Sequence, residues 1–232
     1  MPHMIERSPD DWESPAESLA DRFPTKFRSK ASTQGVLVTT DPRPRQIFWD
    51  SLGEFGTLTS VLARRDIVEV REQQEALYRD AEGVVRRHFF DFVVTFDDGT
   101  RRALAYKPRD RAETVGFINF LTDLAERISP EIADEIVPLT EFDLPRATVQ
   151  NAILIHDCQR DPPDDNDEAV LASLAEFVGH VSIADLRDAT GLGGDAYRAI
   201  IRLIGSGEIV MKGTARIGGQ TLVRLANQED AR

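Results

Sequence analysis

The sequence contains very little cysteine and no long apolar run. Its 232 residues include a single cysteine, Cys158, which excludes an intrachain disulfide and a cysteine-built metal site. No apolar stretch approaches the roughly 20 residues of a membrane-spanning helix, and the acidic, proline-containing start is unlike a signal peptide. These absences favour a soluble protein of a reducing cytoplasm, without a membrane partner.

Positive charge is also scarce, although it is unevenly distributed. The formal net charge is −12, which argues against a protein that coats nucleic acid non-specifically. Residues 1–21 carry six acidic side chains and one basic one, whereas residues 22–49 carry six basic side chains and one acidic one. We therefore expect an N-terminal arm over residues 1–34 that is either a solvated leader or a segment that meets phosphates. The basic residues of the second stretch are Arg22, Lys26, Arg28, Lys30, Arg43 and Arg45.

Residues 84–108, around which the chain is organised, are predicted to form a β-hairpin. Its first strand is apolar on both faces, as in the centre of a sheet, except for Asp91. A carboxylate in such a strand is costly unless it is paired or holds a metal. A three-residue loop over 98–100, which we expect, places Asp91 opposite Lys107, whereas a two-residue loop places Tyr106 there.

An aspartate and a lysine on one face of adjacent strands, joined by a carboxylate from a helix, suit Mg²⁺-assisted phosphodiester cleavage. Carboxylates hold the metal, and a lysine positions the nucleophile or neutralises developing charge. A buried Asp91–Lys107 ion pair without chemistry explains the same spacing. The spacing alone leaves both interpretations open.

The pattern up to residue 157 predicts an α/β fold with a mixed sheet flanked by helices. Gly53 and Gly56 lie within the first helix and cost about 1 kcal/mol each relative to alanine, so we expect them to admit close approach of another backbone or of DNA. The expected helices span residues 46–64, 111–128 and 145–158, and the expected strands near the hairpin span 67–73, 76–79 and 135–139.

An acidic linker over residues 158–167 separates this part from residues 168–226, whose pattern predicts a small winged-helix domain. Ser182 is the expected N-cap of the first helix of a helix-turn-helix, over residues 183–190, and the second helix spans 196–206. Within residues 195–224 five basic side chains stand against two acidic ones, so we expect DNA contact. The candidate DNA-binding residues are Arg198, Arg202, Lys212, Arg216 and Arg224.

Short motifs occur in a fixed order along the chain. They are Ser-Leu-Gly-Glu at 51–54, Val-Arg-Glu-Gln at 70–73, Arg-His-Phe-Phe-Asp-Phe at 87–92, Tyr-Lys-Pro at 106–108, and Thr-Glu-Phe-Asp-Leu at 140–144 followed by Asn151. In this order and spacing they resemble the TnsA family, the endonuclease subunits of heteromeric transposases. The resemblance implies a restriction-endonuclease-like domain over residues 35–157, followed by the winged helix.

The resemblance also implies a site and partners. Glu54 and Asp91 correspond to Mg²⁺ ligands and catalytic residues, and Lys107 corresponds to the catalytic lysine. The implied partners are DNA and a transposase or recombinase subunit.

One position departs from the family pattern. Relatives carry Glu or Gln two residues before the lysine, where this chain has Ala105, and a methyl group cannot hold Mg²⁺. Either another oxygen compensates, such as the Tyr106 carbonyl or Glu72, or cleavage has been lost. Three functions therefore stay open: a Mg²⁺-dependent DNA endonuclease that nicks one strand at a mobile-element end, a non-catalytic DNA-binding or assembly subunit, and a winged-helix transcription regulator.

Overall fold

The computed structural model describes residues 14–23, 33–40 and 43–227 of the chain. This part is an α/β protein with three sheets and seven helices. Within it, none of the helices has both the length and the apolarity needed to cross a bilayer. The strands are β1 (Gly35–Val38), β2 (Gln46–Trp49), β3 (Ile67–Arg79), β4 (Val85–Phe96), β5 (Arg101–Tyr106), β6 (Glu135–Leu139), β7 (Val181–Ser182), β8 (Ile209–Met211) and β9 (Leu222–Leu225). The helices are α1 (Leu52–Leu62), α2 (Arg109–Thr114), α3 (Phe117–Ala125), α4 (Arg146–Gln159), α5 (Asp165–Ala175), α6 (Ile183–Thr190) and α7 (Gly194–Ser206).

The largest sheet is mixed, with four strands in the order β3-β4-β5-β6. β3, β4 and β5 run antiparallel, and β6 is parallel to β5. A parallel pair needs a crossover connection, which α2 and α3 supply. Leu58 of α1 packs in one apolar cluster with Phe92, and Leu121 of α3 packs in another with Val93. The expected mixed α/β sheet is confirmed, and helices on both faces explain the continuous apolar run of β4.

Two predicted helices differ from the structure. Residues 46–49 form β2, paired with β1, because Ile, Phe and Trp favour strands; the helix expected over 46–64 therefore begins only with α1. The helix expected over 111–128 is two helices, α2 and α3. Gly116 between them has a φ of 61°, which interrupts the helical backbone. As a result Val115, part of the predicted apolar stripe, is exposed.

Of the three strands predicted near the hairpin, one is confirmed and the other two are joined into a single strand. The strands expected over 67–73 and 76–79 are one continuous strand, β3. Gln73 lies inside it with a φ of 48°, yet does not end it. The strand expected over 135–139 is confirmed as β6, as is the helix α6 with Ser182 as its N-cap.

The β4–β5 hairpin differs from the expected register by two residues. Continuing the observed pairing places Ala105 opposite Asp91, so the expectation that Lys107 lies there is wrong. The loop consists of residues 97–99 rather than 98–100. Gly99, whose φ is 86°, is therefore the last residue of the loop and not the second. Since a shift of two residues preserves the alternation of side chains, Lys107 still follows on the face of Asp91.

Of the two glycines of α1, Gly53 admits close packing within the protein. A Cβ at Gly53 would overlap the Tyr106 ring. A Cβ at Gly56 would lie 3.4 Å from Val149 of α4, an ordinary van der Waals contact, so an alanine could be accommodated there. Only the helix-propensity cost of Gly53 is thus balanced by a close contact, that with β5.

The C-terminal elements surround their own apolar cluster. α5, α6 and α7 accompany a three-stranded sheet of order β7-β9-β8. α4 joins this cluster through Ile155 and Cys158, and a Cβ at Gly205 of α7 would overlap Ile155. The stretch expected to be a linker, residues 158–167, contains the end of α4 and the start of α5.

An ion-pair network joins α7 to the turn between α4 and α5. The Arg202 guanidinium donates to Asp167 Oδ1 at 2.7 Å and to Asp164 Oδ1 at 2.8 Å. The side chains of Arg202 and Asp167 are only 8% and 11% exposed. A pair buried this deeply is costly to break, because the remaining charge has no water to solvate it.

Replacing Arg202 by methionine should lower the free energy of unfolding by about 3 kcal/mol, because Asp167 then loses its partner. Urea denaturation followed by circular dichroism measures the change. Arg187→Met is the matched control: its partner Asp188 is 71% exposed, so loss of that surface pair should cost less than about 1 kcal/mol. Equal losses in the two variants would contradict the structural importance of the Arg202 network.

Candidate active site

Glu54 lies in the first turn of α1 and is buried. Its Oε2 accepts the Asp50 N–H at 2.8 Å, its Oε1 accepts the Ser51 hydroxyl at 3.0 Å, and Ser51 Oγ in turn accepts the Glu54 N–H at 3.1 Å. Ser51 and Glu54 thus form a capping box at the helix start. Burial raises the pKa of Glu54, although the hydrogen bonds from Asp50 and Ser51 oppose the shift. The Ser-x-x-Glu spacing could have revealed this second role of Glu54 in the sequence.

Asp91 lies in the middle of β4, where the main sheet is covered on both faces. Its Oδ2 accepts the Tyr106 N–H at 2.6 Å. Burial, and then the negative charge of Glu54, raise the pKa of Asp91 to about 8; the Tyr106 hydrogen bond and the charges of Arg22 and Lys107 oppose that rise. The two carboxylates expected to act together are therefore close enough to interact.

Lys107 follows the last residue of β5, and its N–H donates to Leu139 O of β6 at 2.9 Å. Its ammonium group lies 4.6 Å from the centre of the Phe117 ring, a cation–π contact. Among the described residues, the direct Asp91–Lys107 ion pair that the sequence left open is not formed. Lys107 acts on Asp91 through its charge, which lowers the pKa of the carboxyl group.

Ala105 is 3% exposed and packs in the apolar cluster of α3. Glu72, which the sequence suggested as a compensating ligand, is engaged elsewhere. It is fully buried, pairs with Arg45 at 2.9 Å and accepts a hydrogen bond from the Ser18 hydroxyl. Its carboxylate therefore neutralises Arg45, a member of the basic stretch, and does not replace the side chain missing at position 105.

Two carboxylates fit a Mg²⁺ site that substrate completes. Within the described ranges, no group of three or more His, Cys, Asp or Glu side chains is arranged to hold a metal ion. Mg²⁺ usually keeps several waters and is bound by one or two carboxylates together with substrate phosphates. Glu54 and Asp91 can supply those carboxylates, but their raised pKa values mean that a proton competes with a cation for the same oxygens.

Two residues near this pair were not identified from the sequence. The Arg22 guanidinium donates to Gln73 Oε1 and lies 4.8 Å from the centre of the Phe89 ring. Gln73 is 2% exposed, and the flanking β3–β4 pairs place it opposite Asp91. Arg22 belongs to the basic stretch noted in the sequence, but nothing in that stretch distinguishes it from its basic neighbours.

His88 lies near the site but does not add a positive charge. Its ring packs against Phe90 and Phe120, with centroids 4.7 and 5.3 Å apart. Burial, followed by the charges of Lys107 and Arg22, lowers the pKa of His88 to about 4. The imidazole is therefore neutral at pH 7, and the positive charge of this region comes from arginine and lysine.

Two of the basic residues expected to contact DNA are already paired with carboxylates. The Arg198 guanidinium donates to Asp161 Oδ2 at 2.7 Å, and Arg202 is held by Asp164 and Asp167. Both lie on α7, which packs against α4. Binding a phosphate would require each arginine to exchange its carboxylate partner, and the choice of Arg198 and Arg202 stays a prediction.

The other three candidates lie on the β8–β9 hairpin. Lys212 and Arg216 are exposed, and Arg224 on β9 donates to the neighbouring Leu225 carbonyl at 2.9 Å. The loop is fixed from outside by α4, because Asn151 Oδ1 accepts the Ile217 N–H at 2.8 Å. Lys212 and Arg216 therefore remain the candidates in this part of the chain for phosphate contact.

Replacing Asp91 by asparagine should change how stability depends on pH in metal-free protein. The pKa of Asp91 rises from 3.8 to about 8 on folding, so between these values the folded state holds a proton that the unfolded chain has released. Its contribution to stability is therefore lost as pH rises through this window. Asparagine can still accept the Tyr106 N–H, and Asp91→Asn should be more stable than the natural protein above about pH 8.

Urea denaturation in EDTA at about pH 5 and about pH 9 provides the measurement for this change. Asp97→Asn, in the exposed loop of the same hairpin, controls for the loss of one carboxylate. Parallel pH profiles for Asp91→Asn and the natural protein would disprove the buried, protonated state of Asp91.

The chain was also compared with known proteins. No protein-family model matches it, and no curated protein is significantly similar to it. The likeness to the TnsA family therefore rests on the short motifs quoted above, and the function has to be inferred from the residues of the site itself.

Proposed function

We propose that this protein is a TnsA-like DNA-processing subunit of a heteromeric transposase, which binds DNA ends and nicks one strand with Mg²⁺. The observation that carries the proposal is the meeting of two desolvated carboxylates with interacting charges, the buried Glu54 and the half-buried Asp91. Lys107 directly follows the adjacent strand β5 and adds a positive charge to the same region. Such a combination is typical of a functional site, because a stable core seldom places two acids together.

The arrangement of the elements is compatible with the proposal. The mixed sheet with α1 on one face and α3 on the other suits a restriction-endonuclease-like domain, in which the site forms where a helix meets the centre of the sheet. The order α5, β7, α6, α7, β8, β9, with the sheet order β7-β9-β8, suits a winged helix. Fold alone does not assign a function, so the carboxylate pair remains the main support.

The chemistry follows from the charges of the site. Glu54 and Asp91 would hold Mg²⁺, which supplies polarisation of the phosphate and of a bound water. In metal-free protein Asp91 keeps its proton at neutral pH, on Oδ1, because Oδ2 accepts the Tyr106 N–H. Asp91 must release that proton when a cation binds, so binding should be weak and pH-dependent. Lys107 would then stabilise negative charge on the phosphate as the bond breaks.

A second candidate function is a non-catalytic DNA-binding or assembly subunit on the same fold. Ala105 favours it, because this position is buried among apolar side chains and offers no ligand atom. The third alternative, a regulator that contacts DNA through its winged helix, is less favoured because α7 packs against α4 and its two arginines are paired with aspartates.

Replacing Asp91 by asparagine should lower Mg²⁺-dependent nicking by more than about 100-fold, since even losing a residue that merely supports a metal ligand costs 10–100-fold. Nicking is measured on supercoiled plasmid carrying a transposon end, with Mg²⁺, Mn²⁺ or EDTA. Asp97→Asn is the matched control and should retain full activity. Equal nicking by Asp91→Asn would remove this site as its source.

Replacing Ala105 by glutamate separates the two candidate functions. If the natural protein nicks DNA, the added carboxylate should lower the Mg²⁺ concentration required. If the natural protein is silent and Ala105→Glu gains activity, the non-catalytic function is the correct one. Because Ala105 is buried, circular dichroism and a thermal melt must first show that the variant folds, and Ala105→Gln provides an uncharged comparison of similar size.

A further inference from the structure

Residues 14–23 form a strap along the outer edge of the main sheet. The Ala16 N–H donates to Pro44 O at 2.8 Å, and the Asp21 carboxylate accepts the Glu75 N–H of β3 at 2.8 Å. β3 is the edge strand of the sheet, and an edge strand has unpaired backbone groups that need a partner. The strap supplies such partners and is thereby held in a defined place.

The strap places Arg22 beside the candidate active site. The Arg22 guanidinium is fixed from two sides, by its hydrogen bond to Gln73 and by its contact with the Phe89 ring. Gln73 lies opposite Asp91 in the β3–β4 register, and Phe89 precedes Asp91 by two residues on β4. Arg22 therefore stands next to Asp91 although it is 69 positions away in the sequence.

The backbone conformation of Gln73 suits its hydrogen bond with Arg22. It combines a positive φ of 48° with near-complete burial, which is unusual for a residue inside a strand. Strained backbone of this kind persists where the surrounding structure requires it, often at functional sites. Here it orients a buried amide oxygen toward the strap, where it accepts from Arg22.

The charge of Arg22 reaches both carboxylates of the site. It lowers the pKa of Glu54 and of Asp91, and its effect on Asp91 is larger than that of Lys107. Arg22 is also exposed to solvent. A guanidinium has five N–H donors in a planar fork, and the hydrogen bond to Gln73 uses one of them. The others can bind the two oxygens of a phosphate.

We propose that Arg22 is a substrate-binding residue of this site, which contacts a backbone phosphate of the DNA strand held at Glu54 and Asp91. This role rests on the proposed DNA-processing function. The strap would position the guanidinium before DNA arrives, so that little side-chain freedom is lost on binding. Arg22 and Lys107 then supply positive charge around the phosphate, while the two carboxylates serve the metal ion.

An arginine that only neutralises the two carboxylates would occupy the same place. The two roles differ in what removal of the charge does to each ligand. Without Arg22, a divalent cation should bind Glu54 and Asp91 more tightly in either case, because a competing positive charge is gone. DNA should bind more weakly only if Arg22 contacts a phosphate.

Arg22→Gln in the full chain should weaken binding of a fluorescent transposon-end duplex by roughly 10-fold, the usual effect of losing one charged hydrogen bond. Anisotropy in EDTA, repeated over a range of salt concentrations, should show the slope of log K against log salt reduced by about 0.9, which corresponds to one phosphate. Arg64→Gln is the matched control, because Arg64 pairs with Asp66 just beyond the far end of α1. It makes the same change in net charge and should alter neither value.

Two further measurements test whether the charge or the planar shape of the Arg22 side chain matters, and whether Arg22 acts on the two carboxylates. Arg22→Lys should restore most of the salt slope, because it keeps the charge, but only part of the affinity, because it lacks the planar fork. Mn²⁺ affinity without DNA, measured by calorimetry, should rise in Arg22→Gln and stay unchanged in Arg64→Gln. An unchanged Mn²⁺ affinity would show that Arg22 does not act on the two carboxylates, and would overturn the proposal.

The outcomes separate this proposal from the function on which it rests. If the natural protein binds DNA and Arg22→Gln binds it equally well or more tightly, Arg22 is only a counter-ion and the proposal is wrong. If the natural protein binds no DNA, with or without Mn²⁺, the proposed function fails together with this role. Weaker DNA binding by Arg22→Gln with a reduced salt slope, together with a higher Mn²⁺ affinity, supports the contact.

Discussion

The desolvation of two neighbouring acidic side chains, the buried Glu54 and the half-buried Asp91, is the constraint on which the rest of the site depends. Glu54 and Asp91 lie where the main sheet meets α1, and desolvation raises the pKa of each. The chain tolerates this in three ways: a capping box holds Glu54, a backbone amide binds Asp91, and Arg22 and Lys107 place positive charge nearby. These interactions only partly oppose the shift at Asp91, which is where a bound cation would contribute most.

Several acidic residues of the chain are paired with arginines, so the net charge of −12 is a poor guide to DNA contact. Around the turn between α4 and α5, several aspartates form ion pairs with the arginines of α7. This pairing joins α7 to the turn between α4 and α5. In the proposed function, the exposed Lys212 and Arg216 of the β8–β9 hairpin are therefore better placed for phosphate contact than the arginines of α7.

Local patterns in the sequence predicted much of the fold, whereas longer-range geometry escaped them. The strand over 135–139 and the helix capped by Ser182 follow from alternation and a capping residue. The hairpin register was off by two residues, because an Asp-Gly pair does not state which loop position its glycine occupies. The common face of Asp91 and Lys107 survived this error, since side-chain alternation depends only on whether the shift is even.

From the sequence, only those site residues that lie in short motifs could be predicted. Asp91 and Lys107 were singled out by the hairpin pattern and Glu54 by the resemblance, but the place of Arg22 depends on a strap that joins residues distant in sequence. A basic stretch gives no indication of which arginine will be held, because the choice is made by partners on β3 and β4. Glu72 shows the same limit: it was suggested as an oxygen that could compensate for Ala105, whereas its partner Arg45 makes it part of a buried ion pair.

In the proposed function, the absence of a third carboxylate is explained by the charges around the DNA phosphate. A site with two carboxylates, an arginine and a lysine is close to neutral, so an incoming phosphate meets less repulsion than it would beside three carboxylates. The same neutrality weakens metal binding in the absence of DNA, since each positive side chain competes with the cation. Metal and phosphate would then bind together, each supplying charge that the other needs. In this way Ala105 is compatible with a site that is assembled only when DNA is present.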